Sequence, residues 1–275
     1  MTRLKTEMKS SIRFVNHASV LINPGDNGIL SDPWYSSHSF HKGWNLLYEN
    51  SETEVVEIIN STSYIWISHE HPDHFSINFF NKYSKIIKSN GIIILFQETK
   101  DRRVVNFLRS KGFNVKELPN EKSIYLKDNL KVFCIKIGDY DSALLVDTYG
   151  EKIFNLNDCV IRTLPEASYI QKKIKKIDIL LTQFSYAAWK GGKANKAWRE
   201  SAALEKLQTI EIQSKVFKPK FLIPFASYVF FSNRENFYLN DSKNTTNSIL
   251  NYFSKGIAPS LRLIDLENWR SILLL

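Results

Sequence analysis

The sequence predicts an α/β protein built as an αββα four-layer sandwich, with two sheets face to face and helices on their outer faces. Short apolar runs of the kind that form buried strands recur along the chain. They fall into two blocks, and in each block strands come first and helical patterns follow. Because each sheet must bury its apolar faces, two such blocks are expected to pack sheet against sheet beneath outer layers of helices.

The first block begins with strands and then becomes helical. Ser76 fits the N-cap of a helix, because apolar residues follow it at helical spacing. A buried strand at 92–96 and a helix at 100–111 complete the block. The predicted early strands are SIRFVNH (11–17), SVLIN (19–23), GILSD (28–32) and YIWIS (64–68).

The second block starts with the strand patterns NVKEL, SIYL, KVFCIKI, SALLVD and KIFNLN. No linker rich in glycine and proline interrupts the chain, so we expect residues 1–275 to form a single domain. The later predicted elements are helices near 165–175 and 200–216, strands DILLT (178–182) and FLIPF (221–225), and a tail with RLID and RSILLL.

Composition narrows the class of partner and the compartment. Lys and Arg number 37 against 28 Asp and Glu, a net charge of +9 that favours anionic partners such as phosphates, carboxylates, nucleic acid or a membrane surface, while genome base bias is the alternative source of this composition. Of these partners we expect a small anionic substrate. The basic run QKKIKKID (171–178) fits a solvated helix face and no nucleic-acid motif accompanies it, so no nucleic acid is expected as a partner. Two cysteines favour a cytoplasmic location, and we expect neither a signal peptide nor a membrane span.

The stretch HEHPDH (69–74) carries half of the six histidines of the chain. In an extended segment residues i and i+2 point the same way, so His69 and His71 can chelate one ion. Asp73 and His74 follow the turn at Pro72 and can point at a second ion. Imidazole and carboxylate donors suit zinc, iron and manganese. Two such ions can activate a bridging water as a hydroxide nucleophile.

This H-x-H-x-D-H pattern, complete in His69, His71, Asp73 and His74, resembles the signature of the metallo-β-lactamase superfamily. The resemblance implies the αββα metallo-β-lactamase fold, with the site at the edge between the two sheets. FVNHASVLI and ILSDPW look like the opening hairpin of the branch that includes ascorbate phosphate lactonase and an N-acylphosphatidylethanolamine-hydrolysing phospholipase D. That likeness implies a pocket position for His17 and a supporting position for Asp32. A hydrogen-bonded core histidine is the alternative for His17.

Three further segments resemble the metallo-β-lactamase-like part of CMP-N-acetylneuraminate hydroxylase and its bacterial relatives. They are DPWYSSHSFHKGWNLL (32–47), FNLNDC (154–159) and IPFASY (223–228). The likeness implies that Asp158 is the carboxylate that bridges two ions, while an ordinary Asp in a strand-ending turn is the alternative.

The chain departs from the family in lacking two further histidine ligands. Every histidine lies between His17 and His74. The middle position offers Asp139, Tyr140, Asp141 or Ser142, and the late position offers Ser227, Tyr228 or Asn233. Four outcomes stay open. Asp139 or Asp141 donates oxygen and favours manganese or iron; His38 and His41 swing in; one ion binds alone; or metal binding is lost.

Two aromatic and basic segments flank the predicted site. Segment 185–201 contains Trp189, Trp198, Lys190 and Arg199 and can form a flap that offers cations and aromatic faces to a substrate, or an exposed basic loop that runs into a helix. Loop 34–44 can form the opposite wall, or anchor itself with core aromatics.

We therefore expect a metal-dependent hydrolase of carbohydrate metabolism that acts on a sugar phosphate, sugar nucleotide or acylated sugar. His69, His71, Asp73, His74 and Asp158 would hold one or two divalent ions (Zn, Mn or Fe), and Asp73 would serve as base if one ion is bound. The alternatives are an iron-dependent oxidative enzyme with a redox partner, because neither cysteine can build a Rieske cluster with a nearby histidine, and a metal-poor binding module. The oligomeric state is not predicted.

Overall fold

The computed structural model describes residues 10–23, 27–254, 262–263 and 271–273. It contains two seven-stranded sheets with helices on their outer faces. The predicted αββα sandwich is confirmed. The first nine residues, in which no signal peptide was predicted, lie outside the described residues. Most of the predicted C-terminal tail lies outside them as well.

The first sheet has the strand order β16-β1-β2-β3-β5-β6-β7. Its early strands pair antiparallel, whereas β3, β5, β6 and β7 run parallel. Parallel strands bring their carboxyl ends to one edge, which is where the histidine-rich segment leaves β5. The strands are β1 Ser11–Asn16, β2 Ser19–Ile22, β3 Ile29–Ser31, β5 Tyr64–Ile67, β6 Ile93–Gln97, β7 Asn114–Leu118 and β16 Ser271–Leu273.

The second sheet has the order β15-β13-β12-β11-β10-β9-β8. It begins as an antiparallel meander and continues with parallel strands from β11 onward. Its strands are β8 Ser123–Lys127, β9 Leu130–Ile137, β10 Asp141–Thr148, β11 Glu151–Asn155, β12 Ile179–Gln183, β13 Phe221–Phe225 and β15 Arg262–Leu263. A separate small sheet pairs β4 Trp44–Leu46 with β14 Val229–Phe231.

The helices cover the outer faces of the two sheets. Ser76 accepts a hydrogen bond from Phe79 N at 3.3 Å, so it caps a helix as predicted. The helix predicted at 200–216 begins earlier, at Lys196, and the sequence analysis missed the helix at 52–60. The helices are α1 Glu52–Asn60, α2 Ile77–Lys82, α3 Ser84–Ser89, α4 Arg103–Ser110, α5 Leu164–Ile174, α6 Lys196–Phe217 and α7 Thr246–Phe253, with a 3₁₀-helix at Phe237–Ser242.

Two apolar clusters hold these layers together. The larger one includes Trp66 and Leu95 from the first sheet with Phe154 and Leu180 from the second, all at most 1% exposed. In the smaller one, the four helices α1, α2, α3 and α4 pack against the outer face of the first sheet. Burial of this apolar surface is the main term that holds the two sheets face to face. None of the helices in the described ranges is both long and apolar enough to cross a membrane.

Candidate metal centre

The candidate site lies where strands of both sheets end at one edge of the sandwich. His69 follows the carboxyl end of β5, and Asp32 follows the end of β3. His17 lies in the tight turn between β1 and β2. From the second sheet, Asp141 opens β10 and Asp158 follows β11. The fold thus gathers residues far apart in sequence, which agrees with the predicted site at the edge between the sheets.

The first donor cluster consists of His69, His71 and Asp141. His69 Nε2 lies 2.7 Å from His71 Nδ1 and 3.8 Å from Asp141 Oδ1. The two imidazoles are neighbours because alternate residues of the extended segment point to one side. Asp141 is therefore the candidate acid from the middle of the chain that lies beside these imidazoles, and its role as a ligand stays a prediction.

The second donor cluster consists of His17, Asp73 and His74, all buried. Asp73 Oδ2 lies 3.3 Å from His17 Nε2 and 3.2 Å from His74 Nε2. Asp158 connects the two clusters, since its carboxylate oxygens lie 3.6 Å from His74 Nε2 and 3.9 Å from His69 Nδ1. The bridging role that the resemblance implies for Asp158 stays a prediction.

Asp32 supports the donors without belonging to a donor cluster. Its carboxylate is 1% exposed and accepts hydrogen bonds from Ser68 N at 2.7 Å, Ser68 Oγ at 2.8 Å and His74 Nδ1 at 3.0 Å, and also from Asn157 Nδ2. His69 Nδ1 lies 2.9 Å from Ser68 Oγ. Because Ser68 donates its proton to Asp32, its oxygen accepts from His69. Both His69 and His74 therefore hold a proton on Nδ1 and present Nε2 to the site, the arrangement that orients metal-binding histidines.

Electrostatics favour ionised acids in this site. Burial lowers the pKa of His69 to about 4, with a further decrease from His74, so His69 is neutral. Burial opposes the charge of His74, but Asp73 and Asp158 outweigh it and hold the pKa of His74 well above its ordinary value. Burial raises the pKa of Asp73 and of Asp158, but the positive charge of His74 outweighs burial and keeps the pKa of both carboxyl groups below the ordinary range. Burial, followed by Asp158, raises the pKa of Asp141 to about 6.

The donors fit a divalent ion. Donor atoms around one tetrahedral ion bound at about 2.1 Å lie roughly 3.4 Å apart, close to the 3.3 Å and 3.2 Å that separate Asp73 Oδ2 from His17 Nε2 and His74 Nε2. Asp73 Oδ1 and Asp158 Oδ1 are buried and have no hydrogen-bond partner among the described residues. Buried polar atoms are rarely left unsatisfied, so a cation facing these oxygens would remove an energetic penalty.

Several sequence candidates are not brought into the donor clusters. His38 and His41 are exposed, and so is Asp139, which precedes the first residue of β10 by two positions. None of the three belongs to a donor cluster. The late candidates are engaged elsewhere. Ser227 Oγ accepts from Phe184 N and Ser185 N, Tyr228 donates to Pro224 O, and Asn233 Oδ1 accepts from Glu235 N.

A cavity of about 590 Å³ opens over the donors. Phe40 and Trp44 of loop 34–44 line one side and Trp189 and Lys190 line another. In contrast, Trp34 is a core residue, only 2% exposed. The remaining lining residues that concern the site are His71, Asp73, Asp141, Asp158, Arg162, Gln183 and Lys206.

Trp189 and Lys190 of the predicted flap line the cavity, whereas Trp198 and Arg199 do not, and the role of the segment as a flap stays a prediction. Arg199 is 1% exposed because it belongs to α6 rather than to a loop. Its guanidinium donates to both carboxylate oxygens of Asp241 at 2.7 Å, to Gly192 O at 2.8 Å and to Lys193 O at 3.1 Å. Arg199 thus anchors the segment from beneath and is not available to a substrate.

Sequence reasoning missed Lys206, Gln183 and Asn157. Lys206 is a partly buried lysine of α6 whose Nζ donates to Gln183 Oε1 and which takes part in no ion pair within the described ranges. It lines the cavity together with Asp158. From the sequence alone, Lys206 cannot be distinguished from a solvent-exposed lysine of the same helix. The position of Asn157, directly before Asp158, was the one local signal available.

Comparisons with known proteins agree with this geometry. The family model described as the beta-lactamase superfamily domain matches residues 11–183. The inactive cytidine monophosphate-N-acetylneuraminic acid hydroxylase of Homo sapiens is 25% identical over 263 residues, covering 89% of this chain and 50% of that protein. The hydroxylase of Danio rerio is 24% identical over 254 residues, 86% of this chain and 41% of that protein. The chain thus spans half or less of the length of these relatives.

Among solved structures, CmlA, a diiron beta-hydroxylase from Streptomyces venezuelae, superposes with a TM-score of 0.64 at 13% identity, over 97% of this chain and 54% of that one. YhfI, a metallo-beta-lactamase fold protein from Bacillus subtilis, gives 0.57 at 9% identity, over 94% and 97%. At such low identity these likenesses establish the fold.

The resemblance stated from the sequence is thereby confirmed. The fold and the clustered His and Asp donors also confirm the prediction of a divalent-metal cofactor, while the ligand role of each residue stays a prediction. Since the family model covers well over half of the chain, this chain belongs to the beta-lactamase superfamily.

Proposed function

We propose that this chain is a metal-dependent enzyme that acts on a small anionic substrate bound in the cavity above the donor clusters. The juxtaposition of the donors with Lys206, a cation without a carboxylate partner in the described part of the chain, carries the proposal. His69, His71, Asp73, His74 and Asp158 would hold one or two ions. A bound divalent ion would supply Lewis-acid chemistry at this place.

The protein's own side chains have separate tasks in this proposal. Lys206 binds the anionic group of the substrate, and Arg162 and Lys190 add positive charge at the cavity. Trp44 and Trp189 offer aromatic faces on which a sugar or base can pack. The role of Asp73 as base stays a prediction, and a pKa held below the ordinary range makes it a better ligand than proton acceptor.

For the reaction we favour an iron-dependent hydroxylation. The donor clusters contain Asp73, Asp141 and Asp158 beside the imidazoles, and such oxygen-rich sets suit iron or manganese better than thiolate- or imidazole-only sets do. The relatives that match most of this chain carry the name of a hydroxylase of a sugar nucleotide. Hydroxylation with molecular oxygen needs two electrons from a reductant, which we assign to a redox partner. A sugar nucleotide is the corresponding substrate class.

Hydrolysis is the second candidate, favoured by a different observation. The sequence holds two cysteines, and both Cys134 and Cys159 are buried. They cannot form a cluster that delivers electrons. Hydrolysis of a sugar phosphate, sugar nucleotide or acylated sugar needs only water in addition to the metal, so the chain could carry it out alone.

The experiment that separates these candidates begins with elemental analysis of untagged protein, as purified and after loading with iron, manganese or zinc under anaerobic conditions. Each form is then tested for oxygen consumption with a reductant and sugar nucleotides, and for release of phosphate or acyl groups. A product that forms only in the iron-loaded protein and only when oxygen is present supports hydroxylation. Release of phosphate or acyl groups in the absence of oxygen supports hydrolysis. Protein that binds no metal even after loading would contradict both and favour a binding module.

Replacement of His71 by alanine is expected to lower metal content and activity together, because His71 is a pocket-facing member of the first donor cluster. His41→Ala is the matched control, since His41 is an exposed histidine outside the clusters. Equal metal content in His71→Ala and the wild type would remove His71 from the ligand set.

Replacement of Lys206 by glutamine is expected to weaken binding of the anionic substrate about 10- to 100-fold, the loss of one charge-assisted hydrogen bond of about 1.5–3 kcal/mol. KM should rise more than kcat falls. Because burial lowers the pKa of Lys206 to about 8, the lysine loses its charge as pH rises through about 8. Wild-type binding should therefore weaken above that pH.

The measurement is KM, or a dissociation constant for an inert substrate analogue, between pH 6.5 and 9.5. Lys193→Gln is the control, because Lys193 is exposed and does not line the cavity. A Lys206→Gln variant that keeps both the wild-type KM and its pH dependence would exclude Lys206 as the anion-binding residue.

A further inference from the structure

We propose that His17 is a ligand of the ion held by the second donor cluster, which is called the second ion below. In this role it replaces the histidine that the family pattern requires from a late strand end. The inference rests on the proposed metal-dependent function. It assigns a metal-binding role to a residue of the opening hairpin, outside the HEHPDH segment.

The first argument is the position of the imidazole. His17 is 2% exposed, and its Nε2 lies 3.3 Å from Asp73 Oδ2. Asp73 Oδ2 is in turn 3.2 Å from His74 Nε2. The three donors converge on one small region at separations suited to a shared ion. Among the described residues, His17 and His74 are the two histidines of the second donor cluster.

The second argument is the neighbourhood of His17 in the fold. Ala226 follows the last residue of β13, Phe225, and donates its backbone N–H to His17 O at 3.1 Å. The late strand end, where the family pattern requires a histidine, therefore abuts the backbone of His17. Ser227 is engaged there with backbone N–H groups of the second sheet. An imidazole arriving from β1 can fill the place that this strand end leaves without a donor.

The third argument is the conformation of the turn. His17 has φ +25° and Ala226 has φ +49°, left-handed values that favour glycine. The turn is held by Asn16, whose side chain accepts from His17 N at 2.9 Å and donates to Tyr48 O at 3.0 Å. Strained backbone that is fixed by surrounding contacts is concentrated at functional sites. Because the turn is fixed in this way, the imidazole of His17 is held in one direction, toward Asp73.

A purely structural role explains less of this arrangement. His17 Nδ1 is buried without a hydrogen-bond partner in the described part of the chain, which is typical neither of a core histidine nor of a ligand, so the contact of Nε2 decides between the two roles. The polar contact that His17 does make goes through Nε2 to Asp73, a member of the same donor cluster. Nε2 therefore faces the ion-binding region, while the ring also packs edge-on against the core residue Trp34, with ring centroids 5.7 Å apart.

The test measures binding of Co²⁺, independent of catalysis. Wild type, His17→Gln, His17→Gly and the control His38→Ala are stripped of metal and titrated with Co²⁺, with visible absorption and elemental analysis as readouts. Wild type and His38→Ala should bind two ions. Both His17 variants should bind one ion as before and the second at least 10-fold more weakly, since loss of an outer partner of a ligand already costs 10- to 100-fold.

His17→Gly keeps the test valid if folding is a concern, because glycine accepts the left-handed backbone and leaves a space the size of the ring. Adding free imidazole to His17→Gly should restore the second Co²⁺ and its absorption. Two ions bound with wild-type affinity in His17→Gln and His17→Gly would overturn the inference, as would a wild type holding a single ion that the variants retain. A wild type that binds no Co²⁺ would instead contradict the proposed function.

Discussion

Replacing Asp158 with alanine is expected to remove both ions while leaving the protein folded. The carboxylate of Asp158 lies between the donor clusters, 3.6 Å from His74 Nε2 and 3.9 Å from His69 Nδ1. Its Oδ1 has no hydrogen-bond partner among the described residues and is available to an ion, while Oδ2 faces His74. A carboxylate shared by two ions adds to the affinity of each, and its loss should exceed the 10- to 100-fold effect of an outer partner.

The measurement is elemental analysis after dialysis, together with the thermal midpoint of the metal-free protein and its increase on adding metal. Asp158→Ala should lose most of that increase. It should keep a cooperative transition without metal, because removing this charge relieves repulsion on Asp141, whose pKa is raised first by burial and then by Asp158, and this offsets part of the lost attraction to His74.

Asp139→Ala is the control for Asp158→Ala, because Asp139 is an exposed acid near the site that belongs to none of the donor clusters. It should bind metal like the wild type. Two tightly held ions in Asp158→Ala would rule out Asp158 as the bridging carboxylate and leave Asp141 as the acid from the second sheet.

The part of the site encoded locally was predictable from the sequence. His69 and His71 are two residues apart behind a buried strand, and the pleat alone places their side chains together. The strand pattern on either side of the site likewise follows from short apolar runs, and the presence of two sheets could be inferred from their order along the chain. The assignment of NVKEL to the second block was wrong, because this strand pairs with β6 as the edge strand β7 of the first sheet. The helix cap at Ser76 needed only the residues that follow it.

The rest depended on contacts between distant segments. The sequence allowed Asp139 and Asp141 equally, and the register at the start of β10 brings only Asp141 to His69. Lys206 reaches the cavity because α6 packs on the second sheet, which no local pattern reports. Arg199 was predicted to be a free cation because its partner Asp241 lies 42 residues away.

Replacing Asp32 with asparagine is expected to destabilise the metal-free protein by about 3–5 kcal/mol, the usual effect of removing one partner of a buried charged network. Asp32 is 1% exposed and accepts four hydrogen bonds. An amide keeps the shape but replaces one acceptor oxygen with an NH₂ group. That group would face the donors Ser68, His74 and Asn157, and at least one of them would lose its partner.

Asparagine is preferable to alanine at this position because Asp32 has φ +35°, a left-handed conformation that Asn tolerates better than Ala. The backbone should therefore stay in place, and the measured effect reports on the hydrogen bonds. The free energy of unfolding in denaturant, without metal, is the first readout. Asp139→Asn, exposed and outside the network, should remain within about 0.5 kcal/mol of the wild type.

Metal affinity should fall in the same variant even though Asp32 belongs to no donor cluster. Without the carboxylate, His74 loses the acceptor for Nδ1–H, and Ser68 loses the acceptor that lets its oxygen receive the proton of His69. Both imidazoles would then be free to turn or change tautomer, for which a decrease of about 10- to 100-fold is expected. Affinity that falls together with stability would identify Asp32 as the residue that sets the orientation of both histidines. Stability that falls alone would limit it to holding the β3 and β5 strand ends together.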